Sequence, residues 1–85
     1  GAGYASHAEF VAVPANLCVP LAQDADLSLA AYNTLGAIAL QGVRQAALQV
    51  GETCVVIGLG LLGQLTCLML RASGVRCIGI DINPG

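Results

Sequence analysis

The clearest hydrophobic patterning lies in the second half of the chain, where two short apolar runs flank a helix-like segment. Residues 53–57, Thr-Cys-Val-Val-Ile, predict a strand covered on both faces, because no polar position alternates with the apolar ones. A helix is predicted from about 61 to 72, ended by Ser73-Gly74 with glycine in its usual C-terminal role. A second strand follows over about 76–81. Upstream, Leu35, Ile38, Ala39, Gly42, Val43 and Ala46 recur at the 3.6-residue period and predict a longer helix. Its start is expected near Asn33-Thr34, both good capping types, with Gln41, Arg44, Gln45 and Gln49 on the polar side. A short helix, Leu29 to Tyr32, is expected before it, capped by Asp26 or Ser28. Residues 8–13 are rich in Val and Phe and predict a strand or extended edge. Pro14 and Pro20 then bracket an extended connector.

Between the predicted strand 53–57 and the helix after it stands Gly58-Leu-Gly-Leu-Leu-Gly63, a Gly-x-Gly-x-x-Gly pattern. In this context each glycine has a physical task. Gly58 allows the tight turn off the strand, Gly60 lets backbone approach a pyrophosphate, and Gly63 lets the helix pack closely on the sheet. The backbone N–H groups at the helix start, around Leu61 and Leu62, favour phosphate charge together with the helix dipole. Asp81 lies 18 residues after Gly63, within reach for an acid that hydrogen-bonds an adenosine ribose. Asn83 can add a contact on the same side. The alternative is ordinary turn and packing glycines, with an acid that only ends a strand. The fold class predicted is α/β: a partial Rossmann fold, the first βαβ of a parallel doubly wound sheet, preceded by a strand and crossover helices.

Composition narrows the function classes. Three Arg face five Asp and Glu, and Lys is absent, so no basic cluster exists to neutralise phosphates and nucleic-acid binding is not expected. Mean hydropathy is high, at +0.79. A membrane span needs about 20 apolar residues, and the uncharged run 54–70 is cut by Gln64 and Thr66 and stopped by Arg71, so insertion is not expected. Eighty-five residues supply too few strands for a whole doubly wound sheet, and the chain is expected to be a piece of a longer protein. By itself such a piece exposes strand edges and apolar faces, which predicts self-association. Cys18, Cys54, Cys67 and Cys77 have no Cys-x-x-Cys spacing, which argues against structural zinc and fits a reducing, cytoplasmic compartment. Cys54, Cys67 and Cys77 are expected to act as small buried hydrophobes. His7, the single histidine, lacks the partners a metal site or triad requires, and Tyr4 and Tyr32 are expected to pack rather than to donate protons. No catalytic residue and no metal ligand is assigned.

The order of these pieces resembles the medium-chain dehydrogenase/reductase superfamily, the relatives of zinc-containing alcohol dehydrogenase. Tyr4-Ala-Ser-His-Ala-Glu-Phe-Val-Ala-Val-Pro14 is similar to the late strand of that family's GroES-like domain, and Leu29 through Val43 to the crossover into its cofactor domain. Gly51-Glu-Thr-Cys-Val-Val-Ile-Gly-Leu-Gly-Leu-Leu-Gly-Gln-Leu65 resembles its glycine motif, and Ala72 through Asp81 its second strand. The resemblance implies three parts: residues 1–22 ending the GroES-like domain, 23–50 crossing over, and 51–85 opening the Rossmann domain. It implies an NAD-dependent oxidoreductase parent, with a small-molecule substrate handled outside this chain, which is itself expected to be inactive. Asp81 implies NAD in preference to NADP, since a 2′-phosphate would meet its charge. A zinc ligand of zinc-containing members would fall near Asn33, a poor ligand, so zinc binding by this chain is not expected. The competing classes are a non-catalytic nucleotide-binding or assembly module and a flavin- or S-adenosylmethionine-binding Rossmann protein.

Overall fold

The computed structural model describes residues 7–84, so Tyr4 lies outside the described residues. The chain forms two compact units, Gly1–Ala31 and Tyr32–Gly85. The described part of the first unit has little regular structure. A 3-10 turn, Ala15–Leu17, follows Pro14, and a one-turn helix, α1, spans Leu27–Ala30. Asp26 is its cap: Oδ1 accepts from the Ser28 N–H at 2.9 Å and the Leu29 N–H at 3.4 Å. Of the two candidate caps, Asp26 acts, and the helix therefore begins at Leu27 rather than Leu29 and ends before Tyr32.

The strand expected over 8–13 does not form. Residues 10–14 have no regular structure, and Phe10 is 90% exposed. A strand exists only through hydrogen bonds to a neighbour, and among the described residues none pairs with this segment. The β-rich composition of the segment reported a preference, which needs a partner to become structure.

The second unit contains α2 (Asn33–Ala46), β1 (Thr53–Ile57), α3 (Leu61–Ala72) and β2 (Arg76–Ile80). β1 and β2 pair in parallel, with Thr53 opposite Arg76 and Ile57 opposite Ile80. This is an α/β arrangement, a partial Rossmann-like βαβ unit. Gly51 donates to the Gly74 carbonyl and Arg76 to that of Glu52, both at 2.8 Å, which joins the strand entrances. α3 ends as expected. Gly74 takes φ +77°, while Val75 donates to Leu70 and Gly74 to Arg71, and this pair of bonds satisfies the last carbonyls. Leu70 and Val75, which the same motif draws together, are buried.

α2 departs from expectation at two points. Neither Asn33 nor Thr34 caps it, because Tyr32 occupies the cap position at φ −84° and ψ −1°, near-helical rather than extended. A side-chain cap needs the extended conformation there. Tyr32 itself is 48% exposed, not packed as expected. The apolar face is also rotated: Leu35, Gly36, Ala39, Leu40 and Val43 turn inward, whereas Ile38 is 54% exposed and Gly42 and Ala46 face solvent. The contact with α3 sets this rotation. Gly36 lies beside Met69, whose Cε is 3.7 Å from where a Cβ on Gly36 would stand, an ordinary van der Waals spacing, so this face of α2 is the one that packs on α3.

α3 covers one face of the sheet, over Cys54, Val56 and Cys77, which are half-buried. Val55, Ile57, Ile78 and Ile80 lie on the opposite face, and Ile57 is 84% exposed. No helix among the described residues is long and apolar enough to cross a membrane.

Candidate functional site

The site is built on the turn between β1 and α3. Gly58 leaves the strand at φ +95°, a conformation that costs an L side chain about 1–2 kcal/mol, and its N–H donates to the Ile80 carbonyl at 2.7 Å. The turn thus continues the sheet's ladder by one bond and brings the end of β2 beside it. The Leu59 N–H then donates to Asp81 Oδ2 at 2.6 Å, and the Asn83 N–H to Asp81 Oδ1 at 2.8 Å. Gln64 closes the loop from the other side, its Nε2 donating to the Leu59 carbonyl at 3.0 Å. Asp81 therefore ties the glycine turn to the segment after β2.

Those bonds set its charge. Donation from Leu59, then from Asn83 and Ile82, holds the Asp81 carboxyl below the ordinary carboxylate range, against a smaller opposing effect of desolvation. Asp81 is exposed and ionised at neutral pH, and each of its oxygens retains acceptor capacity beyond the backbone bond it receives.

The three motif glycines meet different surroundings. A Cβ on Gly63 would collide with the Gly58 carbonyl oxygen and stand 2.9 Å from the Gly58 carbonyl carbon. Only glycine lets α3 start this close to the strand end. A Cβ on Gly60 would find no protein atom within 4 Å. Gly60 therefore borders open space, and it is the N-cap of α3, which has no side-chain cap and no acidic residue in its first turn. The helix-start N–H groups of Leu61, Leu62 and Gly63 lie before the first intrahelical bond, Gln64 N–H to the Gly60 carbonyl at 2.9 Å. They are placed to meet an anion over Gly60.

Two open clefts meet at Gly60. One, of ≈ 670 Å³, is lined by Leu59, Gly60, Gln64, Cys67, Leu68, Arg71, Asp81, Asn83 and Pro84. The other, of ≈ 600 Å³, is lined by Leu35, Val56, Ile57, Gly58, Gly60, Leu61, Leu62, Gly63 and Thr66. All seven sequence-assigned residues, Gly58, Gly60, Leu61, Leu62, Gly63, Asp81 and Asn83, thus line one cleft or both. Sequence reasoning missed Leu59, Gln64, Arg71 and Gly79. A Cβ on Gly79 would stand 2.7 Å from Leu59 Cδ2, so Gly79 is what lets Leu59 lie over β2. A glycine inside a strand was the available signal of a close approach. Gly60, Gln64, Cys67 and Arg71 recur at helical spacing and were legible as one α3 face.

The remaining candidates lie apart from this loop. His7 is exposed in a bend, and Asn33 is the exposed first residue of α2. Among the described residues no group of three or more His, Cys, Asp or Glu is arranged to hold a metal ion.

Sequence comparison finds relatives along nearly the whole chain. They are reductases by name. The chain is 35% identical over 78 residues to "Probable D-xylulose reductase A" of Arthroderma otae, which covers 91% of this chain and 22% of that protein. It is 33% identical over 79 residues to D-xylulose reductase A of Aspergillus oryzae, and 30% identical over 79 residues to that of Aspergillus niger, each covering 92% of this chain and 22% of the relative. The chain spans about a fifth of the length of these curated relatives. No family model matches the chain, and no solved structure does.

Proposed function

We propose that the chain is the opening dinucleotide-binding unit of an NAD(H)-dependent, alcohol dehydrogenase-like oxidoreductase of the medium-chain type. One observation carries this reading: two clefts share Gly60 above an uncapped helix start, and an ionised Asp81 stands in one of them. That layout suits a two-lobed ligand with negative charge at its middle. The pyrophosphate would lie over Gly60, against the N–H groups of Leu61, Leu62 and Gly63. The adenosine ribose would lie beside Asp81 and Asn83. The bound nicotinamide supplies the hydride chemistry; the residues of this chain bind and orient the cofactor.

The reductase names of the relatives support an oxidoreductase as the whole protein, acting on a small molecule at a carbonyl or hydroxyl carbon. In this reading residues 1–22 close a catalytic domain, 23–50 cross over and 51–85 open the cofactor domain, and acid–base chemistry belongs to residues beyond these. The 85-residue chain has no turnover of its own. The open face of Val55, Ile57, Ile78 and Ile80 leads it to self-associate.

The test is a titration of the purified chain with NADH and NADPH, followed by fluorescence and calorimetry. NADH should bind, and NADPH should bind at least about tenfold more weakly, since a 2′-phosphate meets the Asp81 carboxylate. Equal affinity for the two, or no binding by a chain that circular dichroism shows to be folded, would overturn the assignment.

A further inference from the structure

The fold brings together two cysteines whose sequence spacing carries no motif. Cys67, on α3, and Cys77, on β2, have their sulfurs 3.1 Å apart, and the Cys77 thiol donates a hydrogen bond to Cys67 Sγ. Both are free and half-buried, and Cys67 lines the Asp81 cleft. A disulfide S–S bond is about 2.05 Å, so closing this pair needs an approach of about 1 Å. We propose that Cys67 and Cys77 are an oxidation site that closes reversibly to an intramolecular disulfide on reaction with a hydroperoxide, pinning α3 to β2 in the wall of the cleft.

The two sulfurs have different roles. Cys77 keeps its proton: its hydrogen bond to Cys67, then desolvation and the neighbouring sulfur's charge, push its thiol up, and Arg71 opposes them. Cys67 is the accepting sulfur and the one open to the cleft, so it meets the oxidant first. Its thiolate attacks a peroxide oxygen. An S–O bond forms and the O–O bond breaks, leaving Cys67 as a sulfenic acid, while the departing alkoxide takes from solvent the proton that Cys67 released on ionising and leaves as an alcohol, or as water when the oxidant is hydrogen peroxide. Cys77 Sγ then attacks Cys67 Sγ. The S–S bond forms, the S–O bond breaks, and the leaving hydroxide combines with the Cys77 proton as water. Two thiols are oxidised by two electrons, and the hydroperoxide is reduced. A reducing compartment keeps the pair open at rest and reopens it afterwards. Cys54 competes, because it sits opposite Cys77 in the β1–β2 register, but its Sγ lies against the Val55 carbonyl at 3.8 Å.

The experiment treats the whole native chain with a small excess of hydrogen peroxide, quenches by alkylation, and reads intact mass and the cross-linked peptide. The expected product is a single covalent chain lighter by two hydrogens, restored to its original mass by dithiothreitol. Its bridge should form about tenfold faster than Cys18 oxidises, because a resolving thiol stands in contact. Tandem fragmentation should assign it to Cys67 and Cys77, and the bridge should persist in Cys54→Ser and vanish in Cys67→Ser. A bridge from Cys54 to Cys77, a bridge between two chains, or oxidation of Cys67 to the sulfinic acid without bridging would each overturn the proposal.

Discussion

Replacing Gly63 and Gly60 in turn by alanine separates what the glycine turn does for the fold from what it does for a ligand. A methyl group on Gly63 meets the backbone of Gly58, which cannot rotate away as a side chain tip could. Relief requires the start of α3 to back off by roughly 1.5 Å or more to restore an ordinary non-bonded spacing. Such overpacking costs about 1–3 kcal/mol, and the better helix propensity of alanine returns at most about 1 kcal/mol. Gly63→Ala should therefore lose about 1–2 kcal/mol in urea unfolding followed by circular dichroism, a large share of what so small a unit has. At Gly60 the added methyl touches no protein atom within 4 Å, and φ is −68°, open to any residue. The stability change should stay under about 1 kcal/mol, the cost of alanine over glycine at an N-cap. Yet that methyl occupies the space proposed for the phosphate at the helix start, and on that proposal NADH affinity should fall at least about tenfold. A folded Gly60→Ala chain that binds NADH as tightly as the parent would refute the placement of the phosphate. Gly63→Ala with unchanged stability would refute the close helix approach.

Asp81→Asn keeps an acceptor oxygen for the Leu59 N–H but removes the charge, so the preference for NADH over NADPH in parallel titrations should shrink by about tenfold or vanish; an unchanged ratio would place discrimination elsewhere. Because the folded state depresses the Asp81 carboxyl, its contribution to stability is present above the ordinary aspartate value of about 3.9 and is lost as pH falls through the lower folded value. The urea-stability gap between the parent chain and Asp81→Asn should thus hold from neutrality to about pH 5 and close only in stronger acid; a gap that closes near neutrality would show that another group is responsible. Ala47 ends α2 in the left-handed region at φ +50°, and Ala47→Gly should raise stability by about 0.5–1 kcal/mol in the same unfolding assay, with no gain if the strain is relieved by other means. Ile57→Lys, on the open sheet face, should lower the apparent mass of the chain in concentration-dependent light scattering, and an unchanged mass would exclude that face from the contact.

What the sequence made legible follows from the range of the interactions involved. β1, α3 and the Gly74 stop were readable because strand composition, the glycine turn and the helix C-terminal glycine act within a few residues of themselves. The α2 face was misjudged by a fraction of a turn. Both Gly36 and Ile38 satisfy a helical period, and the choice between them was made by Met69 on another helix. The segment 8–13 failed for the same reason in stronger form, since strand propensity has no meaning without a hydrogen-bonded neighbour. In the candidate site, spacing picked out the glycines and Asp81, which the fold brings to the clefts at Gly60, but the bond between Asp81 and the Leu59 N–H joins positions 22 residues apart, and no local pattern encodes it. That bond changes how the acid is understood. Asp81 first organises the loop that would receive the pyrophosphate and only with its remaining lone pairs can meet a ribose, so Asp81→Ala would disturb loop and ligand together, whereas Asp81→Asn isolates the charge. Cys67 and Cys77 make the same point for chemistry: ten positions apart in sequence, they are in contact because a parallel crossover returns β2 beneath α3.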